Sequence, residues 1–146
     1  MSGNHMVGTY IFDAMSLIEP WLQLILLGTK TVEFRTWQRQ RLVGKDLVLC
    51  SSKKMASRAT CEAMVQYGWL GPRHLMDARE NLGMARCVVR VKRIVPADED
   101  LHFEQPGFNY HDDGKPTYAW EIEDVRPITP QPVMGRMGIY PVEVDL

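Results

Sequence analysis

The stretch SLIEPWLQLILLGTKTVEFRTWQRQRLVGKDLVLCSSKK, residues 16–54, carries most of the signals from which the fold can be predicted. Its apolar segment begins behind Pro20, which suits the first turn of a helix because the missing N–H is not needed there. Glu19 then lies at the positive end of the helix dipole, and Gly28 is a natural residue to end the helix. Because only Gln23 is polar in its interior, we expect this helix to be mostly buried.

A strand is predicted directly after this helix, from Thr31 to Trp37, because polar and apolar residues alternate there. Its apolar face, with Val32 and Phe34, is expected to pack on the helix. The opposite face carries Glu33 and Arg35, an acid and a base two residues apart. The pattern therefore predicts opposite charges on one side of a sheet, close to the end of the helix.

Regular elements are predicted along the rest of the chain. We expect strands at 9–15, 45–51, 84–95, 117–127 and 139–144, and helices at 53–67 and 72–82. Ser51 or Ser52 is expected to cap the first of these helices, and Leu75, Met76 and Ala78 to face inward on the second. The strand at 84–95 is amphipathic, which predicts an edge or half-exposed position, and prolines from position 127 onward are expected to end the strand before them.

The predicted architecture is a single α+β domain over residues 7–146. We expect a twisted, mostly antiparallel, barrel-like sheet with helices packed against it. Residues 1–6 are expected to be disordered or of cloning origin. The segment 96–116 is acidic, aromatic and irregular.

The composition is that of a globular protein without a strong charge. The chain has 17 Lys and Arg against 18 Asp and Glu, a formal net charge of −1, whereas strong non-specific binders of long nucleic acid usually have a basic excess. Three cysteines without a Cys-x-x-Cys pair indicate a reducing compartment rather than a disulfide scaffold or a zinc site. We expect a cytoplasmic protein without a signal peptide, a membrane span, a metal or another cofactor.

Three segments resemble the ASCH domain (activating-signal-cointegrator homology), a branch of the PUA-like superfamily. They are EPW…LLGTKTVEFRTW, GKDLVLCSSKK and YAWEIEDVRPI, and the resemblance extends over about residues 14–144. It implies a compact barrel-like mixed sheet with flanking helices and a cleft that receives nucleic acid or a nucleoside. Some small bacterial relatives hydrolyse the N4-acyl amide of acetylated cytidine, and others have been described as RNA-binding or RNA-cleaving.

Lys30, Glu33 and Arg35 are the candidate catalytic residues. The resemblance implies, for the amidohydrolase branch, a lysine after the glycine-bounded turn, a threonine three residues later and a distant glutamate. Lys30 matches the lysine, but Glu33 occupies the threonine position, so we expect it to act instead as a general base on water while Lys30 stabilises the oxyanion. The distant glutamate is either Glu104 or Glu121. An exposed ion pair of Glu33 and Arg35 without function is the alternative.

Ligand-binding residues are predicted at strand ends and at two tryptophans. They are Trp21, Ser51, Ser52, Lys53, Trp120 and Glu121. The serine–lysine run precedes a predicted helix, whose N-terminal amides would favour a phosphate, and simple capping with solvated lysines is the alternative. Any one tryptophan is more often a core residue, but these two lie in segments that resemble the cleft of the family and could stack on a base.

Three classes of function fit these residues. The leading one is binding of RNA or a modified nucleoside in a cleft with Trp21, Lys30, Glu33, Arg35, Ser51 and Lys53. The second is an enzyme, either an amidohydrolase on N4-acylated cytidine or an RNA hydrolase. The third is a protein-interaction domain, as in relatives fused to transcription coactivators. The near-neutral charge fits a nucleoside pocket better than a long RNA track, although a basic strip is expected from Arg39, Arg41, Lys53 and Lys54.

Overall fold

The structure, a computed structural model, describes residues 7–97 and 116–146. The strands are β1 (Thr9–Glu19), β2 (Val32–Arg35), β3 (Asp46–Met55), β4 (Met84–Pro96), β5 (Tyr118–Pro132) and β6 (Ile139–Asp145). The helices are α1 (Trp21–Leu26), α2 (Arg58–Gln66) and α3 (Pro72–Glu80), with a short 3-10 turn at Gln40–Leu42. The strands form one sheet in the order β2-β5-β4-β3-β1-β6, in which β1 and β3 are parallel and the other neighbours antiparallel. The predicted α+β, mostly antiparallel fold is confirmed.

The sheet curls around a core to which four strands and α1 contribute. Leu17, Leu49, Val89 and Trp120 come from β1, β3, β4 and β5, and Leu22 is among the α1 residues that meet them. A smaller cluster, with Val48 and Tyr140 among its members, covers the other face of the sheet under β6. The predicted burial of α1 is confirmed, since Leu22, Gln23, Leu24 and Ile25 are all buried.

β1 is longer than predicted, and only its first part pairs with β6. Its pairing with β6 covers Thr9–Met15, whereas its pairing with β3 covers Ala14–Glu19. The part of β1 after Met15 is therefore not paired with β6, and this edge of β1 is the one that Arg35 of β2 contacts. Nη2 of Arg35 at the end of β2 donates to the carbonyl of Ser16 at 2.8 Å, so one side chain links β2 to β1.

The helix α2 begins later than predicted, because β3 continues past its predicted end. Ser57 is the N-cap, and its hydroxyl accepts a hydrogen bond from the amide of Thr60. The prediction that Ser51 or Ser52 caps this helix is therefore wrong. Ser51 is held in β3, where its hydroxyl donates to the buried carboxylate of Glu19 at 2.5 Å.

Of three further expectations about packing, one is wrong and two are confirmed only in part. Val32 of β2 packs with Ala97 and Ala119 rather than on the helix α1. The amphipathic strand β4 lies between β3 and β5, so the edge position is wrong, but the half-exposed alternative is confirmed, since Arg90, Lys92 and Arg93 are exposed. On α3, Ala78 is buried as expected, but Met76 is 56% exposed. Apolar spacing identifies the faces of an element, but it does not say what covers them.

The strand β5 continues through the prolines that were expected to end it. Pro127 pairs opposite Cys87 and Pro132 opposite Met84. Irregular register between Ala85 and Cys87 accommodates them, as is usual for proline beside a bulge. Within the two described ranges, no helix is long and apolar enough to cross a membrane.

Candidate functional site

Lys30 is positioned by the turn that ends α1. Gly28 adopts a φ of +80°, which glycine reaches without the steric cost that a side chain would add. The amides of Thr29 and Lys30 then both donate to the carbonyl of Leu24, at 3.0 and 3.1 Å. The Lys30 side chain is 3% exposed, and its ammonium donates to the carbonyl of Val32. The predicted glycine-ended turn thus delivers a buried ammonium group.

The three predicted catalytic residues are in direct contact. Nζ of Lys30 lies 3.4 Å from Oε1 of Glu33, and Oε2 of Glu33 accepts from Nη2 of Arg35 at 2.9 Å. Burial disfavours the charged ammonium and lowers the pKa of Lys30 from its ordinary value of 10.5, while Glu33 opposes that shift. With Glu33 only 12% exposed, this contact is more enclosed than the exposed ion pair considered as the alternative.

These charges form one wall of a cleft of about 340 Å³ that we call the β1–β2 cleft. It is lined by Ser16, Ile18, Trp21, Lys30, Glu33, Phe34, Arg35 and Ser52. Nζ of Lys30 lies 5.3 Å from the ring centre of Phe34 and 6.0 Å from that of Trp21. Sites for small ligands are typically concave, with volumes of about 300–1,000 Å³, apolar walls and a few polar groups.

Ser16 is a cleft residue that carries no signal in the sequence. Its Oγ lies 2.5 Å from Oη of Tyr140 in β6, a residue 124 positions away. Burial raises the pKa of Tyr140, and the Ser16 hydroxyl opposes that shift, so the phenol stays protonated at neutral pH. The two hydroxyls therefore form a neutral hydrogen-bonding pair, of which Ser16 belongs to the cleft lining.

Of the serine–lysine run, Ser52 alone is among the residues that line the cleft. Ser51 is 2% exposed and faces the core. Lys53 is exposed, and its side chain lies beside Gly83. Because the run lies within β3 and not at a helix end, no helix N-terminus points from it into the cleft.

Trp120 and Glu121 lie away from the cleft lining. Trp120 is 1% exposed, packs edge-on against Trp37 with ring centres 5.2 Å apart, and donates from Nε1 to the carbonyl of Trp37 at 3.2 Å. Its ring has no free face for a base. Glu121 forms an ion pair with Arg93 and points to the other side of β5. Glu104, the other proposed distant glutamate, lies outside the described residues.

A second ionic cluster is buried beneath α1. The carboxylate of Glu19, 0% exposed, accepts from Nη1 of Arg86 at 3.1 Å, from the Ser51 hydroxyl, and from the amide of Gln23 at 2.9 Å. Nη2 of Arg86 forms a further ion pair with Oδ2 of Asp77 at 2.9 Å. Burial raises the pKa of Glu19, although these hydrogen bonds and Arg86 oppose the shift. The cluster ties α1, and with it the Lys30 turn, to β3, β4 and α3.

The family follows from a comparison with models of known domains. Residues 15–133 match the ASCH domain model. The chain belongs to the ASCH domain family. The resemblance seen in the sequence is thereby confirmed, and domains of this family generally bind RNA. No curated protein matches this ASCH domain.

Solved structures with the same fold include the ASCH protein from Zymomonas mobilis and two mutant forms of it. That protein is 19% identical, with a TM-score of 0.50, and the match covers 83% of this chain and 73% of the other. The mutant forms are 16% and 18% identical, with TM-scores of 0.53 and 0.50, and cover 83% and 82% of this chain and 75% and 72% of theirs. At such identities the likeness shows the PUA-like fold alone.

Among residues 7–97 and 116–146, no group of three or more His, Cys, Asp and Glu side chains could hold a metal ion. The absence of a cofactor and the cytoplasmic location stay predictions.

Proposed function

We propose that this ASCH domain binds one nucleoside of an RNA, or a modified nucleoside, in the β1–β2 cleft. The observation that carries the proposal is the lining of the cleft, which joins aromatic rings to the enclosed Lys30–Glu33–Arg35 contact. An aromatic face can stack on any base, and buried polar groups can distinguish one base edge from another.

Each wall of the cleft has a distinct part in this proposal. Trp21 and Phe34 supply apolar surface for the base. Glu33 can accept a hydrogen bond from an amino group, and Arg35 can donate to a carbonyl oxygen. The hydroxyls of Ser16 and Ser52 can do either. Such a set suits a heterocycle that carries both donors and acceptors on its edge.

The distribution of charge favours a small ligand over a long RNA track. Arg41 pairs with Asp13 at 3.2 Å, and the guanidinium of Arg39 lies 5.1 Å from the ring centre of Trp37. Two members of the expected basic strip are therefore already engaged within the protein. Lys53 and Lys54 are exposed. If they bind phosphates, removing each one should reduce the slope of log affinity against log salt by about one.

The test is to titrate the protein with N4-acetylcytidine, with cytidine and with short RNAs that contain either base. Trp21→Ala should weaken binding about 5- to 150-fold, the loss of one stacking contact. Glu33→Gln should change the ranking of the two nucleosides because it replaces an acceptor-only group by an amide. Lys45→Ala, an exposed lysine just before β3, is the matched control. Wild-type protein that binds none of these ligands would contradict the proposal.

The contact between Lys30 and Glu33 also favours a second function, hydrolysis of N4-acylated cytidine. Glu33 would take a proton from water as the water oxygen attacks the acyl carbon. The Lys30 ammonium would stabilise the resulting oxyanion, and the C–N bond would then break as the leaving amine receives a proton. Products are the free carboxylic acid and cytidine.

Chromatography of N4-acetylcytidine incubations separates this enzyme from a pure binder. Lys30→Ala should slow hydrolysis about 10²–10³-fold, and Glu33→Gln about 10²–10⁴-fold. Circular dichroism should show that both variants are folded. Hydrolysis by wild type that both folded variants retain would exclude this mechanism and direct attention to Glu104, the other glutamate that the resemblance allows. No hydrolysis by wild type would leave the binding function.

A further inference from the structure

We propose that the loop joining β5 to β6, residues 133–138, is the outer half of the ligand site and holds the phosphate and the neighbouring base of a single-stranded RNA. This inference rests on the proposed function, since it assumes that one base of that RNA occupies the β1–β2 cleft. It selects a nucleotide chain, rather than a free nucleoside, as the ligand.

The loop lies directly against the cleft wall. A Cβ added at Gly135 would be 3.2 Å from Oγ of Ser16 and 3.8 Å from Oη of Tyr140. Ser16 is itself a lining residue of the cleft. The start of the loop is anchored, since the amide of Val133 donates to the carbonyl of Gly83 at 3.1 Å. The close approach at Gly135 thus places the backbone of the loop beside Ser16 at the cleft.

The side chains of this loop have the chemistry of an RNA contact. Met134 is 83% exposed and Met137 is 97% exposed. Arg136 between them is also exposed, and it takes no part in the ion pairs of the described residues. Flexible thioethers can pack on an unstacked base, and a free guanidinium can bind a phosphate through two parallel hydrogen bonds.

A ligand without a phosphate cannot use this part of the site. A nucleoside would occupy the cleft alone, whereas an RNA strand would continue outward from the Ser16 wall over the loop. The phosphate next to the bound base would then meet Arg136. Binding of RNA should therefore be stronger and more sensitive to salt than binding of the same nucleoside.

The test compares N4-acetylcytidine with a short oligoribonucleotide that contains it once at the centre. Wild type should bind the oligoribonucleotide about tenfold more tightly, and Arg136→Ala should remove most of that gain and lower the salt slope by about one. Binding of the nucleoside should not change. Gly135→Ala, which crowds the Ser16 hydroxyl, should also weaken binding of the oligoribonucleotide. Arg58→Ala is the matched control, because Arg58 is 93% exposed on α2 and does not line the cleft.

The possible failures are distinguishable. If wild type binds nucleoside and oligoribonucleotide equally, or if Arg136→Ala alters both or neither, the inference about the loop is overturned while the proposed cleft stands. If wild type binds neither ligand, the proposed function falls, and the inference falls with it. Thermal unfolding of the Arg136 and Gly135 variants checks that each remains folded.

Discussion

Lys30 is the side chain whose chemistry depends most on its surroundings. Its ammonium contacts the carbonyl of Val32 and the carboxylate of Glu33, and it lies near the rings of Trp21 and Phe34. Burial outweighs the attraction of Glu33, so the pKa of Lys30 is lowered from 10.5. The group is charged below that lowered pKa and neutral above it.

Ligand binding that uses the Lys30 charge should therefore weaken as the pH rises through the lowered pKa, below the range where an ordinary lysine titrates. Lys30→Arg should abolish this dependence, because a guanidinium remains charged throughout the range. The measurement is the affinity for N4-acetylcytidine at a series of pH values, with circular dichroism at each pH. An affinity of the wild type that stays constant up to the ordinary pKa of lysine would show that the ammonium charge is not used.

Among the elements, α1 depends on a buried ionic cluster more than on its own sequence. It has only six residues, and Pro20 at its N-cap provides no side-chain hydrogen bond. The amide of Gln23 is instead satisfied by Glu19, and Glu19 is held by Arg86 from β4. Lys30 follows the C-terminal end of α1. The position of Lys30 in the cleft therefore depends on the ionic cluster that holds α1 in place.

Arg86→Met should cost about 3–5 kcal/mol of the free energy of unfolding, because it leaves the buried Glu19 carboxylate without its cation. Adding Glu19→Gln to the same chain should restore part of the loss. Burial raises the pKa of Glu19, and Arg86 opposes that shift. Removing Arg86 should therefore raise this pKa further, and the loss should shrink as the pH falls and Glu19 of the variant takes up a proton. Urea unfolding measures each value.

The matched control is Arg58→Met, which breaks an exposed pair with Glu62 on α2 and should change stability little. A loss for Arg86→Met no greater than that of this control would show that the buried cluster does not stabilise the fold.

At the scale of the whole molecule, the candidate site lies between β1 and β2, two strands that are not neighbours in the sheet. The strand β2 has four residues and lies at the end of the strand order, paired with β5. Arg35 joins it to β1 by its contact with the Ser16 carbonyl. The same side chain thus links β2 to β1 and lines the cleft, which couples ligand binding to the integrity of β2.

Arg35→Ala should raise the hydrogen-exchange rates of amides in β2 and of Ser16–Glu19 in β1, because their lateral contact is lost. Amides in β3 and β4 should keep their protection, since the core cluster still covers them. Mass-spectrometric exchange measures this, with Arg41→Ala as control, whose exposed pair with Asp13 lies elsewhere on β1. Uniformly faster exchange, or no change at β2, would exclude this linking role for Arg35.

The spacing of residues in the sequence was sufficient to predict whether most elements are helices or strands. It was also sufficient to predict the residues at the centre of the candidate site. The buried α1, its end at Gly28 and the contact of Lys30, Glu33 and Arg35 all arise within one short stretch, where the positions of glycine and alternating charge decide the geometry. That stretch also carries part of the motif by which the family was recognised.

Only the tertiary structure decided what surrounds that contact. It brought Tyr140 onto Ser16 across 124 positions, and it placed Gly135 and its loop at the cleft. It also turned Ser51 into the core toward Glu19, and it buried Trp120 against Trp37. Periodicity reports which residues share a face of one element. It contains no information on which distant element packs against that face, because this depends on strand order and on the curvature of the sheet.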